Sequence, residues 1–202
     1  MIISKRKAFI FAAFNKTGTT SIEKVLRRFN SPLLHAYLAW RYRREYKNKS
    51  LFKHIRPLDL KRMLGDEEWD RYFSFSFVRN PWSRAVSLYN SHRKEPTGRK
   101  WALAQGSFEE WVRGGGTGTA KKSMTEFISD DNGRVIVDFV GKYENLDGDF
   151  KSACKLAGLP TVELPHLNRS TSGDYRRLYT DETRDTVAEW CRRDIEKFGY
   201  DF

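Results

Sequence analysis

The stretch FIFAAFNKTGTTSIEKVL, residues 9–26, runs from an apolar segment through a hydroxyl-rich turn into helical spacing without a break. Phe9 to Phe14 is short, aromatic and uninterrupted, as a buried strand is, while Ile22, Val25, Leu26 and Phe29 recur at the interval that lines one helix face. A strand that ends at a helix N-terminus makes an anion site. The first-turn N–H groups have no intrahelical partner, and the helix dipole turns its positive end to the same place. Gly18 lets the backbone approach a ligand, Lys16 brings a mobile positive charge, and Thr17, Thr19, Thr20 and Ser21 bring hydroxyl donors. Phosphate and sulfate fit such a loop. The nucleotide-triphosphatase pattern GxxxxGK[ST] sets its lysine after the last glycine and a magnesium-holding hydroxyl after that. Here Lys16 precedes Gly18, so the cradle is kept and the best-defined metal ligand is lost. Taken alone, the segment also reads as an ordinary turn in which a Thr or Ser caps the helix.

Composition sets the outer bounds. With 202 residues, 39% hydrophobic and 14% aromatic, the chain suffices for one well-cored α/β domain over residues 1–202 and is short for two. No stretch approaches the ~20 apolar residues that span a bilayer. The N-terminal MIISKRKAFIFAAF has no small-residue cleavage site after its apolar run. A soluble, cytoplasmic chain is expected; the alternative is a lumenal catalytic domain with its anchor removed. Cys154 and Cys191 stand outside any CxxC or Cys/His cluster and read as isolated buried thiols, which fits a reducing compartment. The formal net charge of +11 calls for an anionic partner, whether nucleic acid, cofactor, polysaccharide or lipid, and does not choose among them. The basic run RYRREYK, residues 41–47, reads as a solvated helix face or as the lining of an acidic acceptor's path.

Further along, residues 33–46 (LLHAYLAWRYRREY) predict a helix with a basic end. LFKHIRPLDLKRML predicts a short extended piece carrying His54, then a helix starting near Leu58 or Asp59, after Pro57. Residues 72–79 (YFSFSFVR) alternate Phe73, Phe75 and Phe77 against Ser74, Ser76 and Val78, a strand. In RNPWSRAVSLYNSHR, Asn80 and Pro81 open a helix whose stripe is Trp82, Ala85, Val86 and Tyr89. A second strand-to-helix junction thus carries Arg79 at its mouth. RGGGTGTA, residues 113–120, reads as a mobile loop; residues 134–143 predict one or two short strands. A helix follows near 148–157, then the loop LPHLNRSTSGDY, then a terminal helix over 180–198 begun by Thr180. Strands alternating with helices predict a mainly parallel central sheet flanked by helices, with ligands beyond the strands' carboxyl ends.

Together the two junctions resemble those of the PAPS-dependent sulfotransferases, carbohydrate type. Asn15-Lys16-Thr17-Gly18-Thr19-Thr20-Ser21 is similar to that family's P-K-[TS]-G-[ST]-[ST] loop, and Arg79-Asn80-Pro81-Trp82-Ser83-Arg84-Ala85-Val86-Ser87 to its R-[ND]-P-x-x-R-x-x-S segment. TEFISDDNGRVIVDFVGKYENL, LPHLNRS and DIEKFGYDF look like later landmarks, so the likeness covers nearly the whole chain. Asn15 stands where proline is usual, which leaves the donors in place and makes the loop less rigid.

The resemblance implies a P-loop-like sulfotransferase fold and the donor 3'-phosphoadenosine 5'-phosphosulfate (PAPS). The product is adenosine 3',5'-bisphosphate, and no metal is called for. It assigns the 5'-phosphosulfate to Lys16, Thr17, Gly18, Thr19, Thr20 and Ser21, and the 3'-phosphate to Arg79 and Ser87. Asn168, Arg169 and Ser170 belong to a stretch that closes over the nucleotide. KHIRPLDL resembles the His-bearing segment of heparan and dermatan 2-O-sulfotransferases, which makes His54 the catalytic base and Arg56 a contact for an anionic acceptor; Phe52 replaces the first histidine of that segment's HxH. Glutamate bases occur in related branches, so Glu23 and Glu45 stay open. The acceptor implied is a free hydroxyl on a glycan or glycoconjugate, and the basic surface favours an acidic one. Two rivals stand beside this reading. A P-loop-type nucleotide kinase is favoured by the cradle and opposed by the lysine's position. A basic nucleic-acid-binding protein is supported by net charge, without a recognised motif. The acceptor's identity and the oligomeric state are not legible in the sequence.

Overall fold

Short apolar segments supply a four-stranded sheet: β1 (Ile2–Ser4), β2 (Phe9–Ala12), β3 (Phe73–Val78) and β4 (Phe139–Lys142), ordered β1-β2-β3-β4. β1 runs antiparallel to β2, and β2, β3 and β4 are parallel, so the expected mainly parallel sheet is present. The computed structural model describes residues 1–46, 52–94, 98–160, 162–165 and 174–202. Its helices are α1 (Thr19–Leu26), α2 (Pro32–Tyr46), α3 (Pro57–Leu64), α4 (Asp66–Trp69), α5 (Pro81–Arg93) and α6 (Arg99–Leu103), then α7 (Phe108–Arg113), α8 (Met124–Ile128), α9 (Leu146–Leu156), α10 (Asp181–Trp190) and α11 (Arg192–Phe198). Contacts divide the chain into two units, Met1–Val78 with Glu126–Leu167, and Arg79–Thr125 with Asn168–Phe202.

In the first unit the period-2 pattern of β3 decides the core. Phe75 faces Phe11 at 5.2 Å and Phe9 at 6.1 Å between ring centres, and all three are fully buried with Ile22, Leu26 and Phe150. Burial of each such ring contributes about 1.5–3 kcal/mol. On the other side Ser76 donates its hydroxyl to the Ala12 carbonyl at 2.8 Å, which ties the end of β2 to β3. Gly141 of β4 opposes Phe77, and a Cβ there would overlap the Phe77 ring. Residues 52–54, expected to be extended, form a 3-10 turn instead. Phe52 is buried against the His35 and Tyr42 rings of α2, at 5.0 and 6.0 Å, and this packing draws the chain into a turn. α3 then starts at Pro57, whose missing N–H costs nothing at a first helical position.

In the second unit Asn80 caps α5, its side chain accepting from the Trp82 and Ser83 N–H groups, both at 3.1 Å. The expected terminal helix is two helices, broken at Cys191. The break turns Asp194 inward, where its buried carboxylate accepts from Ser123 Oγ, Met124 N and Thr125 N at 2.7–2.9 Å. Thr180 and Thr183 exchange side-chain bonds to each other's N–H groups and cap α10. The fully buried Arg84 donates to the carbonyls of Thr119, Ala120 and Lys122, which fastens the chain at the end of the glycine-rich segment.

Candidate active site

β2 ends at Ala12, and the chain reverses through two left-handed positions, Lys16 at φ 69° and Gly18 at φ 79°. Glycine takes such a conformation freely; a lysine held there costs about 1–3 kcal/mol and persists only where its surroundings insist. They do. Thr17 is fully buried and donates its hydroxyl to the Phe14 carbonyl at 3.0 Å, while Gly18 lies against Leu146 and Tyr143 so closely that a Cβ would come within 2.9 Å of Leu146 Cδ2. α1 then begins with no side-chain cap and no acidic residue in its first turn. The Ser21 and Ile22 N–H groups bond to the Gly18 carbonyl. Those of Thr19 and Thr20 stand at the open positive end of the helix, the place an anion takes. Thr19 and Ser21 are buried and Thr20 is exposed.

His54 reaches the same strand end. Its Nδ1 lies 2.8 Å from the Ala13 carbonyl, which can only accept, so Nδ1 carries the proton and the neutral ring keeps its lone pair on Nε2. Burial lowers the His54 pKa from its ordinary 6.5, the bond to Ala13 opposing this in part. The ring is therefore neutral at pH 7 and able to accept a proton. Glu23 is buried and pairs with the Met1 ammonium at 2.9 Å and Lys53 at 2.8 Å. Burial alone would raise its carboxyl, but these two cations outweigh it and hold the pKa below the usual value. Glu45 is exposed and paired with Arg41 on its own helix. Arg56 donates Nη2 to the Ser129 carbonyl at 3.1 Å, while its buried Nε has no partner among the described residues.

In the second unit Arg79 directly follows β3 and is 6% exposed. Its Nε and Nη2 both donate to Ser83 Oγ, at 3.0 and 2.7 Å. Ser83 and Ser87 are one helical turn apart on α5 and so share a side of that helix, the side against which the Arg79 guanidinium rests. Ser83, a position the R-[ND]-P-x-x-R-x-x-S pattern leaves unspecified, is the residue that holds the Arg79 guanidinium, and its place four residues after Arg79 is the local signal for that contact. The Asn80 amide also donates to the Asp201 carbonyl at 2.8 Å, so the closing segment braces the turn that carries Arg79. His92 is buried at the end of α5, and His35 is half-buried against Phe52. Asn168, Arg169 and Ser170, with His166, lie outside the described residues.

The family model described as "Sulfotransferase family" matches residues 1–201, both junctions included. The chain belongs to the sulfotransferase family. An uncharacterized protein of Archaeoglobus fulgidus is 31% identical over 119 residues, which are 59% of this sulfotransferase and 95% of that relative. Among solved structures, the mouse sulfotransferase SULT7A1, determined in complex with PAP, superposes with a TM-score of 0.51 at 14% identity, over 93% of this chain and 84% of that one. That likeness establishes the expected α/β sulfotransferase fold. Family membership supports sulfuryl transfer among the readings the cradle had left open. No helix among the described residues of the sulfotransferase is long and apolar enough to cross a membrane.

Proposed function

We propose that this sulfotransferase moves a sulfuryl group from PAPS to a hydroxyl of a glycan or glycoconjugate by in-line transfer, with His54 as the base. One observation carries the reading. The His54–Ala13 contact holds an imidazole, neutral at pH 7, at the end of the strand that opens into the Lys16 loop. The loop fits the donor's phosphosulfate: an uncapped helix start, no carboxylate in its first turn, and a lysine beside it. The donor itself supplies an activated sulfuryl group on a phosphate leaving oxygen. Lys16 neutralises the charge that grows on that oxygen, and the N–H groups of Thr19 and Thr20 share it. His54 takes the acceptor's proton at Nε2. Arg79, steadied by Ser83 and helped by Ser87, meets the 3'-phosphate through charge-assisted bonds. Thr17 contributes through the backbone it fixes, its hydroxyl being bonded to Phe14. Asn168, Arg169 and Ser170 complete the nucleotide contacts in this reading, and Arg56 faces an anionic group of the acceptor. The buried free thiols Cys154 and Cys191 support a reducing, cytoplasmic compartment.

The test is a transfer assay with labelled PAPS, in EDTA, over an acceptor screen of neutral and acidic oligosaccharides. Turnover with a glycan acceptor that survives EDTA and is lost in His54→Ala supports the reading. Transfer undiminished in His54→Ala removes that residue from the base role, and activity confined to small alcohols overturns the acceptor class.

A further inference from the structure

Helix α2 buries one side and, among the described residues, leaves much of the other exposed. Leu38 and Tyr42 face inward, 1% and 5% exposed, and Phe52 packs against the His35 and Tyr42 rings. Leu33, Tyr37, Trp40 and Arg44, spaced four, three and four residues apart, share the opposite side of the helix. Leu33 is 85% exposed, Tyr37 54% and Trp40 55%. The Tyr37 and Trp40 rings lie side by side at 6.3 Å, and the Arg44 guanidinium covers the Trp40 ring at 5.4 Å. Water is a poor neighbour for such a strip, which extends over most of a helix ~22 Å long.

Cations bracket it. At the C-terminal end Arg43 and Arg44 are exposed, and the helix's one carboxylate, Glu45, is paired with Arg41. At the N-terminal end Ser31 accepts from the Lys5 N–H at 2.9 Å and donates its own N–H to Ile3 at 2.8 Å. These bonds set the exposed turn Lys5-Arg6-Lys7 beside the start of α2. An aliphatic and two amphipathic aromatic side chains between basic ends is the pattern of a helix that lies in a lipid–water interface. Its rings sit at headgroup level and its cations reach the phosphates.

We propose that the outer face of α2 docks the enzyme on an anionic phospholipid bilayer. Leu33 decides against a soluble polyanion, since an exposed aliphatic group gains from acyl chains and not from sugar or sulfate. Charge decides against a second copy. A two-fold pairing of α2 helices would set Arg43 and Arg44 of one chain against the Lys5–Lys7 turn and the positive helix start of the other. The docking does not depend on the chemistry of the active site.

Co-sedimentation of the full chain with vesicles of mixed phosphatidylglycerol and phosphatidylcholine, against phosphatidylcholine alone, tests it without donor or acceptor. The charged vesicles should bind the protein, and a Leu33→Ser, Tyr37→Ser, Trp40→Ser variant should bind about tenfold or more weakly. Its melting temperature and adenosine 3',5'-bisphosphate affinity should match wild type, which separates lost docking from lost folding. Vesicles with brominated acyl chains should quench a fluorescence component that is missing from Trp40→Phe. Equal vesicle binding by the triple variant, or no Trp40 quenching, overturns the proposal. So does loss by the variant of dextran sulfate binding in a protein that ignores vesicles, or a wild-type dimer that the substitutions make monomeric.

Discussion

At the scale of single residues the account rests on a lysine held in a strained backbone and a histidine with its proton fixed on one nitrogen. Removing a preorganised donor to developing charge typically costs 10²–10³ in kcat, and Lys16→Ala is expected to lose that much in a labelled-PAPS turnover assay. His54→Ala is expected to lose turnover while keeping its adenosine 3',5'-bisphosphate affinity by calorimetry. The pH profile follows from the direction of the His54 shift. A base must be neutral, and burial sets this pKa below 6.5, so kcat/KM should be flat at pH 7 and fall only at more acid pH. The same shift works on stability with a fixed sign. The unfolded chain binds the His54 proton more readily, so the folded state loses stability as pH falls below 6.5. An acid limb at or above pH 7, or one that persists unchanged in His54→Ala, would contradict the assignment. Lys16 was legible because its meaning lies in its neighbours along the chain. The anchor of His54 was not, because the Ala13 carbonyl is 41 residues away and any residue supplies a carbonyl.

At the scale of elements, short-range signals survived folding and tertiary ones stayed hidden. The Phe/Ser alternation gave β3 within one residue of its end, and Asn80-Pro81 gave the start of α5, since a strand's period and a helix cap are both local physics. β1, three residues long, is too short to show a period, and it took an antiparallel place beside β2 that no pattern announced. The break at Cys191 serves Asp194, whose partners Ser123, Met124 and Thr125 lie about 70 residues away. Two predictions belong here. Ser83→Ala should weaken adenosine 3',5'-bisphosphate binding, by less than Arg79→Ala does, because it removes one support of the guanidinium without removing its charge; an affinity equal to wild type in Ser83→Ala would contradict a role for Ser83 in holding Arg79 toward the nucleotide. Gly141→Ala should destabilise the sheet by about 1–3 kcal/mol in urea unfolding, the added methyl pressing on the fully buried Phe77 ring. An unchanged midpoint would show that β4 yields to the methyl.

At the scale of the whole molecule, the family match spans residues 1–201 and so includes both the Lys16 loop and the Arg79 segment, which fall in different compact units. A net charge of +11 draws anions to the chain in general, and only built contacts separate the donor from any other polyanion. Titration calorimetry with adenosine 3',5'-bisphosphate in EDTA tests the central claim most directly. Wild type should bind one equivalent, and Lys16→Ala and Arg79→Ala should each weaken binding by roughly 1.5–3 kcal/mol, the worth of a hydrogen bond to a charged group. No binding by the wild type, or affinity untouched by both substitutions, would contradict it.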